Sequence, residues 1–247
     1  APVTLVPSPE NTGFSGGHNL GMRTCAAEYY LIQNSDTLLR PGFLRAILDV
    51  ANATPEAGLF APRIEHEDGT VQDSCFRFHS PISEFIRAVS TGFISRQLSG
   101  RLISLGPDPD PDQIEWASFA SILLRARMVG VLGPMDEGYF LYFEDAEYCL
   151  RARRAGWKIA YVPQAVAVHF RGGSGPVKAL IKVRAALPAY YYRSRTRFLY
   201  QAHGHLGLLT ANLGWYAGRM IKHCSRLLGK TVTPMPAREG RNIWLNF

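Results

Sequence analysis

Acidic residues, cysteines and long apolar runs are all scarce in this chain, and each scarcity closes off a class of protein. The four cysteines among 247 residues, Cys25, Cys75, Cys149 and Cys224, are far apart and form no C-x-x-C pair. That spacing argues against a zinc ribbon and for reduced thiols in a cytosolic setting. No apolar run reaches the roughly 18 residues of a membrane-spanning helix. The opening APVTLVPSPENTG has neither a basic stretch nor an apolar core, so it does not read as a signal peptide. No internal repeat, Walker lysine or complete dinucleotide fingerprint is found, and P-loop and Rossmann readings fail. The shortage of acids, 20 against 27 lysines and arginines, leaves a net charge of +7 and a pI near 9.4. Such a balance points to an anionic partner, a nucleotide or a phospholipid surface. Nucleic acid is set aside, because no nucleic-acid-binding signature accompanies the charge. What is present, 47% hydrophobic and 19% charged, describes a folded globular protein rather than a disordered one: one large domain, or one domain with a helical appendage.

Hydrophobic patterning alternates strands with helices. Residues 4–6 read as a short strand, and residues 13–21 as a glycine-rich loop running into a helix that continues to about Ala27. YYLIQ, Tyr29–Gln33, is an apolar run of strand length that ends at Asn34, Ser35 and Asp36. Pro41 opens a helix over 42–52, residues 59–62 form a buried strand, and Asp68-Gly69 marks a hairpin. Residues 80–112 look like a variable insertion ending in PDPDPD. A strand over 116–124, a short helix over 125–132, an acidic helix, and strands over 159–162 and 165–169 complete an α/β pattern, mixed rather than purely parallel. In the tail, Leu209, Leu213, Tyr216, Met220, Cys224 and Leu227 recur at three- and four-residue spacing, with Arg219, Lys222 and Arg226 on another side. That is an amphipathic basic helix; it either packs on the domain or lies on an anionic membrane face, and the pattern leaves both open.

Residues 140–157, FLYFEDAEYCLRARRAGW, are the most informative stretch. Glu144 and Asp145 stand between an aromatic run and a basic helix. They suit a helix N-terminus, where acids complement the dipole. Held against an apolar wall they would also lose hydration, which raises a carboxyl pKa and makes a proton acceptor. Asp36, at a strand's carboxyl end, is placed where α/β sheets bind ligands, and a hard divalent cation would bridge it to a diphosphate. His169 ends another strand and could complete a Mn²⁺ or Mg²⁺ site, although a lone histidine is more often structural. Arg171 and the glycines after it could fold over phosphates. In NTGFSGGHNLG, residues 11–21, small residues would let backbone approach a ligand closely.

Together these segments resemble the inverting family-2 glycosyltransferases of GT-A fold, especially the rhamnosyltransferase-like branch, over roughly residues 5–174. The motif residues are Asn11, Gly13, Phe14, Gly17, Asn19 and Gly21; then Asn34, Ser35, Asp36 and Thr37; then Pro62, Ile64, Asp68 and Gly69. A third block holds Gly133, Asp136, Glu137, Tyr139, Phe140, Tyr142, Glu144, Asp145, Glu147 and Arg151, before a strand ending at His169. The resemblance implies a GT-A-like three-layer α/β/α mixed sheet over 1–178 and a C-terminal helical basic extension over 179–247. It implies Asp36 and His169 as ligands of Mn²⁺ or Mg²⁺. Asp145 would be the general base, with Glu144 helping to place it. Asn11, Gly13, Gly17, Asn19, Asn34, Asp36 and Arg171 would bind the donor. The implied reaction moves a sugar from a nucleotide-diphosphate sugar, dTDP-rhamnose or a UDP-hexose, to a glycan or lipid-linked acceptor in cell-envelope polysaccharide synthesis. The expected location is the cytoplasm, peripheral on the inner membrane face if the tail binds lipid.

Relatives of this kind begin with about 50 to 60 further residues that cradle the nucleotide base, so the sequence reads as N-terminally truncated, and Glu147 stands where an aspartate is usual. That departure supports a different class as the alternative: a catalytically inactive binding or scaffold module. A nucleotidyltransferase, the third class, would want basic residues in its glycine-rich loop.

Overall fold

In a computed structural model, residues 3–89, 92–170, 176–227 and 235–247 are described. In chain order they form α1 (Gly13–Thr24), β1 (Tyr29–Gln33), β2 (Thr37–Leu39), α2 (Phe43–Ala53), β3 (Ala57–Glu65), β4 (Cys75–Phe76), α3 (Pro81–Val89) and α4 (Gly92–Gln97). There follow β5 (Trp116–Ala117), β6 (Ser121–Arg125), α5 (Ala126–Leu132), α6 (Glu144–Arg154), β7 (Lys158–His169), α7 (Val177–Val183), α8 (Ala189–Leu227) and α9 (Glu239–Asn242). The chain divides into two compact units, residues 1–76 with 105–174, and residues 77–104 with 175–247.

The first unit is built on a mixed sheet of order β1-β6-β3-β7-β2. β3 is buried along almost its whole length, as a central strand covered on both faces must be. It runs parallel to β7 and antiparallel to β6. At Pro62, which has no N–H for the ladder, the register jumps from Val162 to Val166. The two strands expected at 159–162 and 165–169 are therefore one strand, β7, bulged at Pro163. α2 buries Phe43, Ile47 and Ala51 at four-residue intervals against a core that includes Phe60, Ile64, Leu123 and Val162. Arg125 caps the end of α2, donating to the carbonyls of Ala51 and Thr54 at 2.7 and 3.0 Å.

Three local expectations give way. Residues 4–6 are not a strand; Val3 and Leu5 are exposed and no sheet partner lies beside them among the described residues. The glycine-rich stretch is a helix from Gly13 onward, although each interior glycine costs about 1 kcal/mol there. Tertiary contacts of Ser15, Gly16 and Asn19, all buried, override that propensity. The strand over 116–124 is split into β5 and β6 by a turn at 118–120, and the insertion holds helices α3 and α4.

In the second unit α3 packs against α8, which is broken at Gly204 (φ 69°, ψ −174°). Ala211, Gly214 and Gly218 form a row of small residues. A methyl group on Gly218 would stand 2.7 Å from the Phe85 carbonyl, so glycine is what permits the approach. Among the described residues no helix is long and apolar enough to cross a membrane.

Candidate active site

β1, β3 and β7 point the same way, because β6 is antiparallel to both β1 and β3 while β7 is parallel to β3. Their carboxyl ends carry Asn34 to Asp36, Glu65 to Asp68, and His169. The link of residues 34–36 joins β1 and β2, which are opposite edges of the sheet. Four Cα steps reach about 14 Å, whereas edges of a flat five-stranded sheet are about 19 Å apart. The sheet therefore curls at this end, and the curl carries Asp36 over to β7. Thr37 pairs with His169, and Phe170 N–H donates to the Asp36 carbonyl at 2.9 Å. The side chains meet: His169 Nε2 lies 3.3 Å from Asp36 Oδ1, both mostly buried.

Beside them an open depression of 450 Å³ is lined by His66, Glu67, Asp68, Thr70, His169 and Phe170. Gln72, 3% exposed, ties this region together. Its Nε2 donates to the carbonyls of Glu65 (2.9 Å) and His169 (2.7 Å), and His66 Nδ1 lies 3.1 Å away. Two carbonyl acceptors fix which end of the amide is nitrogen. The two expected ligands fit a hard divalent ion. Adjacent octahedral positions at bond lengths near 2.1 Å lie about 3 Å apart, and such ions take few protein ligands with substrate phosphates filling the rest. Among the described residues no group of three potential ligands occurs.

The second cluster is the start of α6. Tyr142 and Phe143, with φ of 71° and 70°, are consecutive non-glycine residues in the left-handed region. Strain of that kind is characteristic of functional sites. The helix begins directly after it, with Glu144 and Asp145 in its first turn. Burial pushes the Asp145 carboxyl up to about 6, against N–H groups of Ala146 and Phe119 that pull it down. Burial first, and then the Asp145 charge, push Glu144 well above the usual carboxylate range. Glu144 is 5% exposed, and its Oε2 has no hydrogen-bond partner among the described residues. Asn34 N–H donates to the Ala120 carbonyl at 2.9 Å, so the 118–120 turn joins the Asp36 end of β1 to the Asp145 cluster.

The α1 residues pack on the same loop. Phe14 N–H donates to the Phe140 carbonyl at 2.8 Å, and a methyl group on Gly13 (φ 74°) would collide with that oxygen. Asn11 Oδ1 accepts the Gly13 N–H at 3.0 Å. Asn19 is 1% exposed and clasps Met135, Oδ1 accepting its N–H and Nδ2 donating to its carbonyl, both at 2.9 Å. Nδ2 also donates to Glu137 Oε1. Gly17 is exposed with open space above it. Arg171 lies outside the described residues. Gly13→Ala is expected to lower the unfolding free energy by about 1–3 kcal/mol, from the positive φ and the collision together; a denaturant titration checks it.

Motif residues Glu147 and Arg151 serve the scaffold. Arg151 pairs with Glu147 and donates to the carbonyls of Leu132 (2.9 Å) and Pro134 (3.0 Å), locking α6 to the preceding loop. Sequence reasoning missed Gln72, His66 and the Phe119 N–H. The Asp68-Gly69 turn could have found the first, since a tight hairpin returns the chain beside Glu65, and Val71 does bridge to it.

The mixed β1-β6-β3-β7-β2 sheet with its flanking helices is of the GT-A class of fold. The solved structure of the mannosyltransferase PcManGT from Pyrobaculum calidifontis, in complex with GDP-Man and Mn²⁺, has that fold. It superposes with a TM-score of 0.51 at 12% identity, over 92% of this chain and 59% of that one. The profile of the family described as glycosyl transferase family 2 matches residues 1–100. The N-acetylglucosaminyl-diphospho-decaprenol L-rhamnosyltransferase of Mycobacterium tuberculosis is 31% identical over 86% of this chain and 71% of its own length. Rhamnosyltransferase WbbL of Escherichia coli is 23% identical over 64% and 61%. The chain belongs to glycosyl transferase family 2.

Proposed function

We propose that the chain transfers a sugar, rhamnose in the first instance, from a nucleotide-diphosphate donor to a glycan or lipid-linked acceptor of the cell envelope, with inversion. The observation that carries the reading is Asp145, a carboxylate of raised pKa held by two backbone N–H groups at the head of α6. In a single displacement the acceptor hydroxyl oxygen bonds to the anomeric carbon as the bond to the donor's diphosphate oxygen breaks. Its proton passes to Asp145. Glu144, kept neutral by burial, adds no second negative charge beside the base. Asp36 and His169 would hold Mn²⁺ or Mg²⁺, which when bound neutralises charge on the leaving diphosphate. Asn34 and the 118–120 turn position Asp36 relative to Asp145. Asn19, with both amide ends engaged by Met135 and Glu137, contributes by holding α1 rather than by touching donor. The similarity to rhamnosyltransferases supports dTDP-rhamnose, with UDP-hexoses the competing donors.

Calorimetric titration with dTDP and UDP, with and without Mn²⁺, tests this. Metal-dependent binding is expected, weakened tenfold or more in Asp36→Asn and His169→Ala. Unchanged metal dependence in both variants would remove them from the site. No nucleotide binding by the folded chain would leave the binding-module reading in its place.

A further inference from the structure

We propose that the outward face of α8 beyond Gly204 docks onto an anionic lipid bilayer. The helix turns its small-residue row, with Leu208 and Trp215, against the second unit. That choice leaves the larger apolar side chains facing water: Leu206 is 78% exposed, Leu213 53%, Tyr216 42% and Met220 65%. Steps of seven, three and four residues put them on one side of the helix. Of the row the sequence marks as apolar, Leu213, Tyr216, Met220 and Cys224 are exposed, while Lys222 from the basic row is buried.

The end of this stripe is aromatic. Tyr216 stacks with Trp244, which packs against Phe247. The Trp244 indole N–H donates to the Tyr216 hydroxyl at 3.2 Å, and that hydroxyl donates to the Gly240 carbonyl at 2.6 Å. Amphipathic rings grouped beside an apolar stripe suit the headgroup level of a bilayer. Charge selects the occupant. Residues 175–247 contain twelve lysines and arginines, of which Arg195 and Lys222 are buried, and one acid, Glu239, also buried. Arg238 and Arg241, on the same short segment as Gly240, are exposed. A second copy would bring the same positive charge against itself, whereas an anionic bilayer complements it and receives the apolar stripe. This inference does not rest on the transferase reading; it concerns the second unit alone.

The test is co-sedimentation of the whole chain with phosphatidylglycerol-containing vesicles and with pure phosphatidylcholine vesicles. Binding is expected to the first and at least tenfold less to the second. Leu213→Glu with Met220→Glu, at exposed positions where folding should survive, should reduce binding tenfold or more. Arg238→Glu with Arg241→Glu should do the same. Circular dichroism confirms that each variant is folded. Equal binding by the wild type and the Leu213/Met220 variant, or none by either, overturns the proposal. So does a wild-type dimer in light scattering that the same variant makes monomeric, since the stripe would then be a contact between copies.

Discussion

Asp145→Asn is expected to lower sugar transfer by a factor of about 10²–10⁴, with nucleotide binding held within about threefold. Glu144→Gln, one residue away, is expected to lower it by less than about threefold. The contrast follows from how the two carboxyls are solvated. Adjacent carboxyls in a dry site cannot both ionise cheaply, so one keeps its proton. Asp145 accepts N–H groups from Ala146 and Phe119, which favour its anion. Glu144 is almost fully buried, its Oε2 has no hydrogen-bond partner among the described residues, and burial with the Asp145 charge outweighs its own backbone N–H, so Glu144 is the one held neutral. Glutamine copies that neutral state; asparagine at 145 removes the acceptor for the proton. Activity should climb as pH rises through about 6, where Asp145 ionises, and the midpoint should stay put in Glu144→Gln. The linkage has the opposite sign for stability. Asp145 is raised above its unfolded value, so between about pH 4 and 6 the native state binds more protons and stability falls as pH rises. Asp145→Asn should thus be at least as stable as the wild type at neutral pH, which separates lost chemistry from lost fold. A large loss in Glu144→Gln, with Asp145→Asn still active, would exchange the two roles.

Sequence reading reached the fold class because that class rests on short-range signals; only the family resemblance names Asp36 and His169 together, and their side chains lie 3.3 Å apart. YYLIQ ends where a polar turn must begin, and AVAVHF ends on its histidine. It did not reach the geometry that joins the clusters. A curled sheet end, a bulge in β7 at Pro163 and a turn at 118–120 are long-range outcomes of strand pairing, and no local pattern records them. Nor did propensity foresee α1, whose glycines argue against a helix until Asn19 finds Met135. The tail shows the same limit differently. Spacing correctly marks Leu213, Tyr216 and Met220 as one face, but which face packs is decided by how closely Gly214 and Gly218 let α3 approach.

The second large effect lies far from any substrate, in the charges buried within the second unit. Arg195, 2% exposed, sends Nε and Nη2 to Glu84 Oε2 at 3.0 and 2.7 Å, and Nη1 to Asn212 Oδ1 at 2.9 Å. Arg87 reaches the same Glu84 oxygen at 2.9 Å and pairs with Glu239. Two cations and two anions balance, and His79 beside them stays neutral because burial pushes its pKa down to about 4. Burial alone would raise the Glu84 carboxyl, but the combined pull of Arg87 and Arg195 outweighs it and holds the pKa below the ordinary range. The stability this contributes is complete above the unfolded carboxyl pKa and is lost only as pH falls well below it. Glu84→Gln leaves two guanidinium groups facing one carboxylate in a dry interior. Breaking such a pair costs about 3–5 kcal/mol, a large part of the roughly 5–15 kcal/mol that holds a domain folded. Glu84→Met combined with Arg195→Met removes one charge of each sign, leaves Arg87 with Glu239, and should recover much of that loss. Urea unfolding of the single and double variants measures the coupling. If the double variant is as unstable as the two singles summed, the network contributes through packing rather than charge, and the matched burial of these four residues would need another cause.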